Sequence, residues 1–175
     1  MTNNAAIQGH RIDVSEFLGD VMRSLALLFS ASDVYAWRNS GVDDGGEPLQ
    51  RVRSVFAEYQ IRELPRLLLG ISVVLRAKLN DSTWRVADER VIAWMSDGDS
   101  VNPERGASLS LREVCNKMIH AIRVEYDPRR HEDGTTFMGS QWILYGELQG
   151  KAWAAQVNVL QFLVAAANLE FEPGQ

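Results

Sequence analysis

The sequence predicts a mainly α-helical, single-domain bundle of about five to six helices, with one β-hairpin before the C-terminal helix. Two observations predict this fold class. Apolar residues recur at helical spacing along most of the chain, and a segment rich in strand-forming residues occurs only near its end. The length of 175 residues suits one domain, assigned to 1–175, and 46% hydrophobic with 23% charged residues is ordinary for a folded protein.

The N-terminal segment is predicted to be a loose tail over 1–10, followed by a helix. Asp13 and Glu16 form a capping-box pattern, and the apolar spacing after them predicts a helix to about residue 29. A short helical turn is expected over 31–38, and the composition of 39–46 predicts a loop.

A second long helix is predicted from Pro48, because proline favours the first turn of a helix. Pro65 is expected to kink or break this helix, since proline removes a backbone donor and clashes with the preceding turn. Ser82 can cap a further helix, which would carry the apolar residues Trp84, Ala87, Val91, Trp94 and Met95.

The second half of the chain begins with a predicted loop over 97–106. Ser110 and Glu113 form a capping box for a helix that is predicted to run to about Tyr126. A long loop is predicted over 127–140.

The residues 141–157 predict the β-hairpin. Strand-forming residues flank Gln149-Gly150, which suits a tight turn. Asn158 and Gln161 then form another capping box, and the apolar spacing after them predicts the final helix.

The predicted helix 111–126 has an apolar face and a polar face. At about 100° per residue, the apolar side chains cluster on one side, which we expect to be buried: Leu111, Val114, Cys115, Met118 and Ile122. Asn116, His120 and Arg123 follow one another on the opposite side, with Arg112 nearby. Histidine exchanges a proton near neutral pH, and arginine stabilises charge on phosphoryl oxygens. These residues suit chemistry on a phosphodiester, and they equally suit an ordinary solvated helix face.

The segment 115–121, CNKMIHA, resembles the signature helix of the HEPN superfamily. Members are small α-helical bundles, often homodimers, and many are metal-independent ribonucleases of toxin–antitoxin and phage-defence systems. Their motif is an Arg, four to six residues, then a His, and Asn commonly follows the Arg. Asn116 and His120 match this motif, whereas Cys115 stands in the position of the Arg. Arg112 lies nearby, with seven residues between it and His120.

The resemblance implies that a ribose 2′-hydroxyl attacks the adjacent phosphate in a cleft between two protomers. His120 would be the acid or base beside Asn116, and Arg112 or Arg123 would stabilise the developing charge. The basic residues Arg129 and Arg130 of the predicted loop are further candidates for contacting RNA phosphates. The resemblance therefore implies a metal-independent ribonuclease, or a catalytically silent RNA-binding relative, without a cofactor.

Another class of protein explains the sequence about as well, namely a non-enzymatic helical module that uses its helices or the hairpin edge to bind an unknown protein. The net charge of −5 disfavours broad electrostatic binding of nucleic acid or anionic membranes. A small-molecule-binding bundle is a third interpretation, and no particular residue supports it.

Several features restrict the setting in which the protein acts. The three histidines and the single cysteine lack metal-ligand spacing, and no phosphate-binding glycine loop is seen. The sequence shows no secretory signal and no apolar run that could span a membrane. We therefore expect a cytoplasmic protein that does not bind membranes, and 15 Arg against 3 Lys suggest a bacterial coding sequence. The HEPN resemblance implies that the protein acts as a homodimer.

Overall fold

The protein has a sheet-containing α/β fold, and the helical bundle expected from the sequence is wrong. The computed structural model describes residues 14–36, 47–80, 84–86, 93–98, 106–130 and 136–171. Within these ranges the helices are Val14–Ala36 (α1), Glu47–Leu79 (α2), Leu111–His120 (α3) and Val159–Ala167 (α4). The strands there are Trp84–Val86 (β1), Ala93–Asp97 (β2), Ala107–Ser108 (β3), Arg123–Arg130 (β4), Thr136–Leu148 (β5), Lys151–Asn158 (β6) and Leu169–Phe171 (β7).

Five strands form one antiparallel sheet in the order β3-β2-β6-β5-β4, so the hairpin strands β5 and β6 lie in its interior. β1 and β7 form a separate two-stranded sheet. Side chains alternate between the two faces of a sheet. On the larger sheet, Trp142, Leu144, Ala155 and Val157 share one face and are buried. We call this the inner face, because its side chains join those of the helices in one hydrophobic core.

A buried glutamine connects helices α1 and α2 to the sheet. The Nε2 atom of Gln60 donates a hydrogen bond to the Leu27 carbonyl oxygen at 3.1 Å. Its Oε1 atom accepts one from the Met138 backbone N–H at 3.3 Å. Because a buried amide is costly without partners, these two bonds favour one arrangement of α1, α2 and β5. Helix α1 itself continues to Ala36, so the short helical turn expected over 31–38 is largely part of this helix.

Helix α2 continues through Pro65, so the break expected at that residue is wrong. A proline inside a helix costs about 3 kcal/mol. Several large side chains around it are at most 4% exposed, and burial of each contributes about 1.5–3 kcal/mol: Leu64, Leu67, Leu68 and Ile71. Core packing therefore outweighs the local preference of proline.

The helix predicted from Ser82 through Met95 is also wrong. The described residues of this segment form strands β1 and β2, and Ser82 itself lies outside the described residues. β2 pairs with β6 on one side and with β3 on the other. Helical spacing of its tryptophans could not reveal these partners, because strand pairing depends on contacts that are distant in sequence.

Helix α3 ends at His120, whereas the sequence predicted a helix to about Tyr126. Ala121 has an extended backbone (φ −66°, ψ 131°), and the Ile122 backbone N–H donates to a β5 carbonyl at 2.8 Å. The next residues form β4, which pairs with β5. As a result, Ile122 is 79% exposed instead of lying in the core.

The long loop predicted over 127–140 is largely strand, because β4 extends to residue 130 and β5 begins at residue 136. The hairpin predicted over 141–157 is confirmed, with Gln149 and Gly150 at its turn. The predicted tail 1–10, the predicted loop 39–46 and most of the predicted loop 97–106 lie outside the described residues.

Candidate functional site

Helix α3 begins with the predicted capping box. The Ser110 hydroxyl accepts from the Glu113 backbone N–H at 3.4 Å, and the Glu113 carboxylate accepts from the Ser110 backbone N–H at 2.8 Å. The Ser110 hydroxyl also donates to this carboxylate at 2.7 Å. These hydrogen bonds lower the pKa of Glu113, because they stabilise its charged form. The cap satisfies helix N–H groups that would otherwise lack a partner.

The two faces of α3 differ in exposure. Val114 and Cys115 are fully buried, while Arg112 and His120 are exposed and Asn116 is half-buried. Because residues four apart share a helix face, Arg112, Asn116 and His120 form one row away from the core. We call these three residues the α3 polar face. It contains the candidate catalytic residues that the sequence suggested.

The half-buried member of this face has an unpaired oxygen. Asn116 Oδ1 is buried and has no hydrogen-bond partner among the described residues. A buried acceptor without a donor costs about 1–3 kcal/mol, so such groups are uncommon in folded proteins. Because this oxygen is itself buried, the Asn116 amide must turn toward the surface before the oxygen can accept a hydrogen bond from a hydroxyl or amino group at the α3 polar face.

Cys115 occupies the position of the family arginine, and it points into the core. Its side chain is fully buried, and burial raises the pKa of its thiol to about 12. The thiol therefore stays protonated at neutral pH and does not act as a nucleophile. An arginine at this position would have its charge in the core, so the structure gives a physical reason for the departure from the motif.

Arg123 was expected on the same helix face as His120, and this expectation is wrong. It begins β4 and faces Tyr145 across the strand pair, on the sheet face opposite the inner face. Its guanidinium lies 3.9 Å from the centroid of the Tyr145 ring, and its Nε atom lies 3.6 Å from Glu125 Oε1. Arg123 is therefore separated from the α3 polar face by the sheet.

Two residues of this cluster, Tyr145 and Glu125, were not singled out from the sequence. The Tyr145 hydroxyl donates to Glu125 Oε2 at 2.9 Å, and this hydrogen bond is the main cause that raises the pKa of Tyr145. Strand alternation in RVEY and ILYGE places these side chains on one face, but only the observed register brings them together.

The remaining predicted contacts to RNA lie elsewhere. Arg129 is exposed, and its Nε atom is 3.7 Å from Asp127 Oδ2. It follows Arg123 by six residues on β4, which corresponds to roughly 20 Å along a strand. It lines a shallow pocket with Phe29 and Phe137. The side chain of Arg130 lies outside the described residues.

Other side chains near α3 serve packing. The Lys117 ammonium group lies 4.0 Å from the centroid of the Trp153 ring. Trp153 is 4% exposed and covers Gly146, at which a Cβ atom would overlap its ring. The Trp142 indole N–H donates to the Gly139 carbonyl at 3.1 Å. The hairpin tryptophans therefore belong to the core.

The described residues contain no group of three or more His, Cys, Asp or Glu side chains that could hold a metal ion. In the same part of the chain, no helix is both long enough and apolar enough to cross a membrane. Comparison of the chain with protein-family models, with curated proteins and with solved structures finds no match. A functional assignment therefore depends on the residues and geometry of this chain.

Proposed function

We propose that the protein binds RNA through the α3 polar face and does not cleave it by the HEPN mechanism. The observation that supports this proposal is the row of exposed Arg112, half-buried Asn116 and exposed His120 on one helix face, in which the Asn116 amide oxygen has no hydrogen-bond partner among the described residues. An arginine can contact a phosphate, while asparagine and histidine can form hydrogen bonds with a ribose 2′-hydroxyl or a base edge.

Local charge favours this surface for an anionic ligand. The chain has a net charge of −5, but helix α3 contains two basic residues, Arg112 and Lys117, and one acidic residue, Glu113. A locally positive surface raises the concentration of a polyanion near it, even on an acidic protein. The α3 polar face lies on this weakly basic helix, whereas Arg123 and Arg129 lie on β4.

Cleavage is less well supported than binding. Arg112 and His120 are eight residues apart, which is roughly 12 Å along a helix axis. Arg123 contacts Tyr145 and Glu125 on the other side of the sheet. A histidine and an arginine that act on one phosphate must both reach it, so these positions favour contact with RNA over transition-state stabilisation.

The direct test is binding of a fluorescein-labelled single-stranded RNA, measured by anisotropy at several salt concentrations. We expect Arg112→Ala and His120→Ala each to weaken binding by about tenfold, equivalent to about 1.4 kcal/mol. Arg23→Ala is the matched control, because Arg23 is an exposed arginine on α1 that pairs with Asp20. Equal affinity of all these proteins, or no binding by the wild type, would refute the proposal.

An RNA cleavage assay in EDTA distinguishes binding from catalysis. We expect no cleavage by the wild type. Cleavage that disappears in His120→Ala, with an unchanged circular dichroism spectrum, would instead establish a metal-independent ribonuclease centred on His120. Cleavage that persists in this variant would indicate a contaminating nuclease.

A protein-interaction module is the second candidate. The hairpin edge considered for this function is not available, because β5 pairs with β4 and β6, and β6 pairs with β5 and β2. The observation that favours this candidate is a set of exposed apolar side chains on α2, among them Val55, Tyr59 and Val73. An exposed apolar patch on a helix commonly marks a binding surface.

A further inference from the structure

The long helix α2 has an exposed face that combines apolar and charged residues. Its opposite face packs into the core, whereas Val55, Tyr59, Leu69 and Val73 are 46–59% exposed. These residues belong to a row with alternating steps of three and four residues, which we call the α2 seam: Val52, Val55, Tyr59, Arg62, Arg66, Leu69, Val73 and Arg76. This spacing is the one by which helices pack in coiled coils. The seam spans roughly 36 Å at 1.5 Å per residue.

The α2 seam is nearly symmetric about its midpoint, Leu64. Val55 and Val73 lie nine residues on either side of it, and Tyr59 and Leu69 lie five residues on either side. If two such helices pack antiparallel about a two-fold axis at Leu64, Val55 faces Val73 of the second copy and Tyr59 faces Leu69 of the second copy. Apolar side chains therefore meet apolar side chains on both sides of the axis.

Charges near the midpoint are balanced within each copy, because Arg62 and Arg66 each pair with a glutamate of the same helix. Arg62 lies 3.7 Å from Glu58, and Arg66 lies 2.8 Å from Glu63, so this part of the seam has no net charge. The two arginines that face each other across the axis are thus each balanced by a glutamate of their own chain.

We propose that the protein forms a homodimer in which the α2 seams of two copies pack antiparallel, with the two-fold axis level with Leu64, whose own side chain lies on the buried face of α2. A self-complementary surface is what a two-fold dimer requires, because the same patch is used by both subunits. The seam lies on α2 and contains no residue of the α3 polar face, so the dimer does not depend on RNA binding.

The first experiment measures the mass of the full-length protein in solution by light scattering over a series of concentrations. We expect a dimer for the wild type. Val55→Glu and Val73→Glu should each raise the dimer dissociation constant by about tenfold or more, because each places a carboxylate against an apolar side chain of the second copy. Val164→Glu is the matched control, since Val164 is 48% exposed on α4 and outside the seam.

Disulfide cross-linking tests the orientation of the two helices. Cys115 is buried, so introduced cysteines can be oxidised selectively. We expect a mixture of the Val55→Cys and Val73→Cys proteins to form a cross-linked heterodimer. Each variant alone should remain uncross-linked, because identical positions lie roughly 27 Å apart along antiparallel helices.

The remaining outcomes overturn the proposal. A wild type that is monomeric at every concentration excludes the dimer. A dimer that persists in both glutamate variants shows that another surface is used, and efficient cross-linking of Val55→Cys with itself shows parallel packing. A monomer that binds a different protein through Val55 and Val73 would assign the seam to a hetero-partner. Arg112→Ala should leave the dimer intact, so a failure of RNA binding and a failure of dimerisation are separable.

Discussion

The β5–β6 hairpin and the α3–β4 segment contribute to the same sheet in different ways. The hairpin strands lie in the interior of the sheet, and their buried side chains meet the helices. In the α3–β4 segment, α3 packs on the core and β4 forms the outermost strand, with most of its polar side chains exposed. The hairpin is thus held by strands on both edges and by the core on its inner face, whereas the α3–β4 segment presents side chains that can contact a ligand.

The outermost strand β4 is poorly suited to pairing with another strand. It contains Pro128, which has no N–H to donate, and its register with β5 shifts between Tyr126 and Pro128. Proline, a bulge and charged side chains are features that prevent edge-to-edge association of sheets. Recognition by this segment is therefore expected through side chains and not through the strand edge.

The largest expected effect tests the buried side of α3. Cys115→Arg restores the arginine of the HEPN motif and places its charge in the core, where Cys115 is fully buried. We expect a loss of about 3–5 kcal/mol in the free energy of unfolding, measured with urea.

Cys115→Ala is the control for this substitution, with an expected loss of only about 1–2 kcal/mol from the smaller side chain. An arginine variant as stable as the alanine variant would show that the position is accessible. If that variant also cleaved RNA in EDTA, the catalytic interpretation of the motif would replace the binding interpretation.

The hairpin could be predicted from the sequence because its signals are local. Strand-forming residues surround a two-residue turn, and both properties are visible within 141–157. The start of α3 was predictable for the same reason, since the Ser110–Glu113 box is contained in one turn.

The end of α3 could not be predicted in this way. The segment RVEY fits a helical period as well as a strand period, and only its pairing with a strand more than ten residues later decides between them. The cluster of Arg123, Tyr145 and Glu125 also depends on this register. The α3 polar face was recognisable in part, because Arg112, Asn116 and His120 fall within the helical portion.

The second prediction tests how tightly the hairpin is packed. At Gly146 an added Cβ atom would overlap the Trp153 ring, which is buried and has Lys117 over it. We expect Gly146→Ala to lower the free energy of unfolding by about 2–3 kcal/mol through overpacking.

Gly19→Ala is the matched control for Gly146→Ala. Gly19 lies in α1 with no atom within 4 Å of an added Cβ, so this variant should gain about 0.5–1 kcal/mol from its higher helix propensity. Losses of the same size in both variants would show that the Trp153 ring does not restrict Gly146.

The third prediction concerns the exposed start of α3. Ser110→Ala removes the cap and should lower the free energy of unfolding by about 1 kcal/mol at neutral pH. The folded-state pKa of Glu113 lies below its ordinary value of 4.5. The charged Glu113 carboxylate therefore stabilises the fold above pH 4.5, and this stabilisation is lost as the pH falls through the lowered pKa. The difference in free energy of unfolding between the wild type and Ser110→Ala should therefore shrink in acid. Urea unfolding at neutral and acidic pH measures this change.

Glu113→Gln is the control for the pH dependence, because it keeps a hydrogen-bonding side chain that does not titrate. A wild type whose stability changes with pH in the same way as this variant would contradict the prediction.

The smallest expected effect lies at the turn of the hairpin. Gln149 and Gly150 have φ values of 52° and 77°, and positive values at both positions define a type I′ turn. Asparagine tolerates this backbone region better than glutamine, so Gln149→Asn should raise the free energy of unfolding by about 0.5 kcal/mol. Thermal unfolding should show this as a small rise in Tm, while Gly150→Ala, which introduces a Cβ atom at positive φ, should lower Tm. A rise in Tm for Gln149→Asn would show that the turn retains local strain, although both of its strands lie in the interior of the sheet. An unchanged Tm would show that sheet pairing alone holds the hairpin.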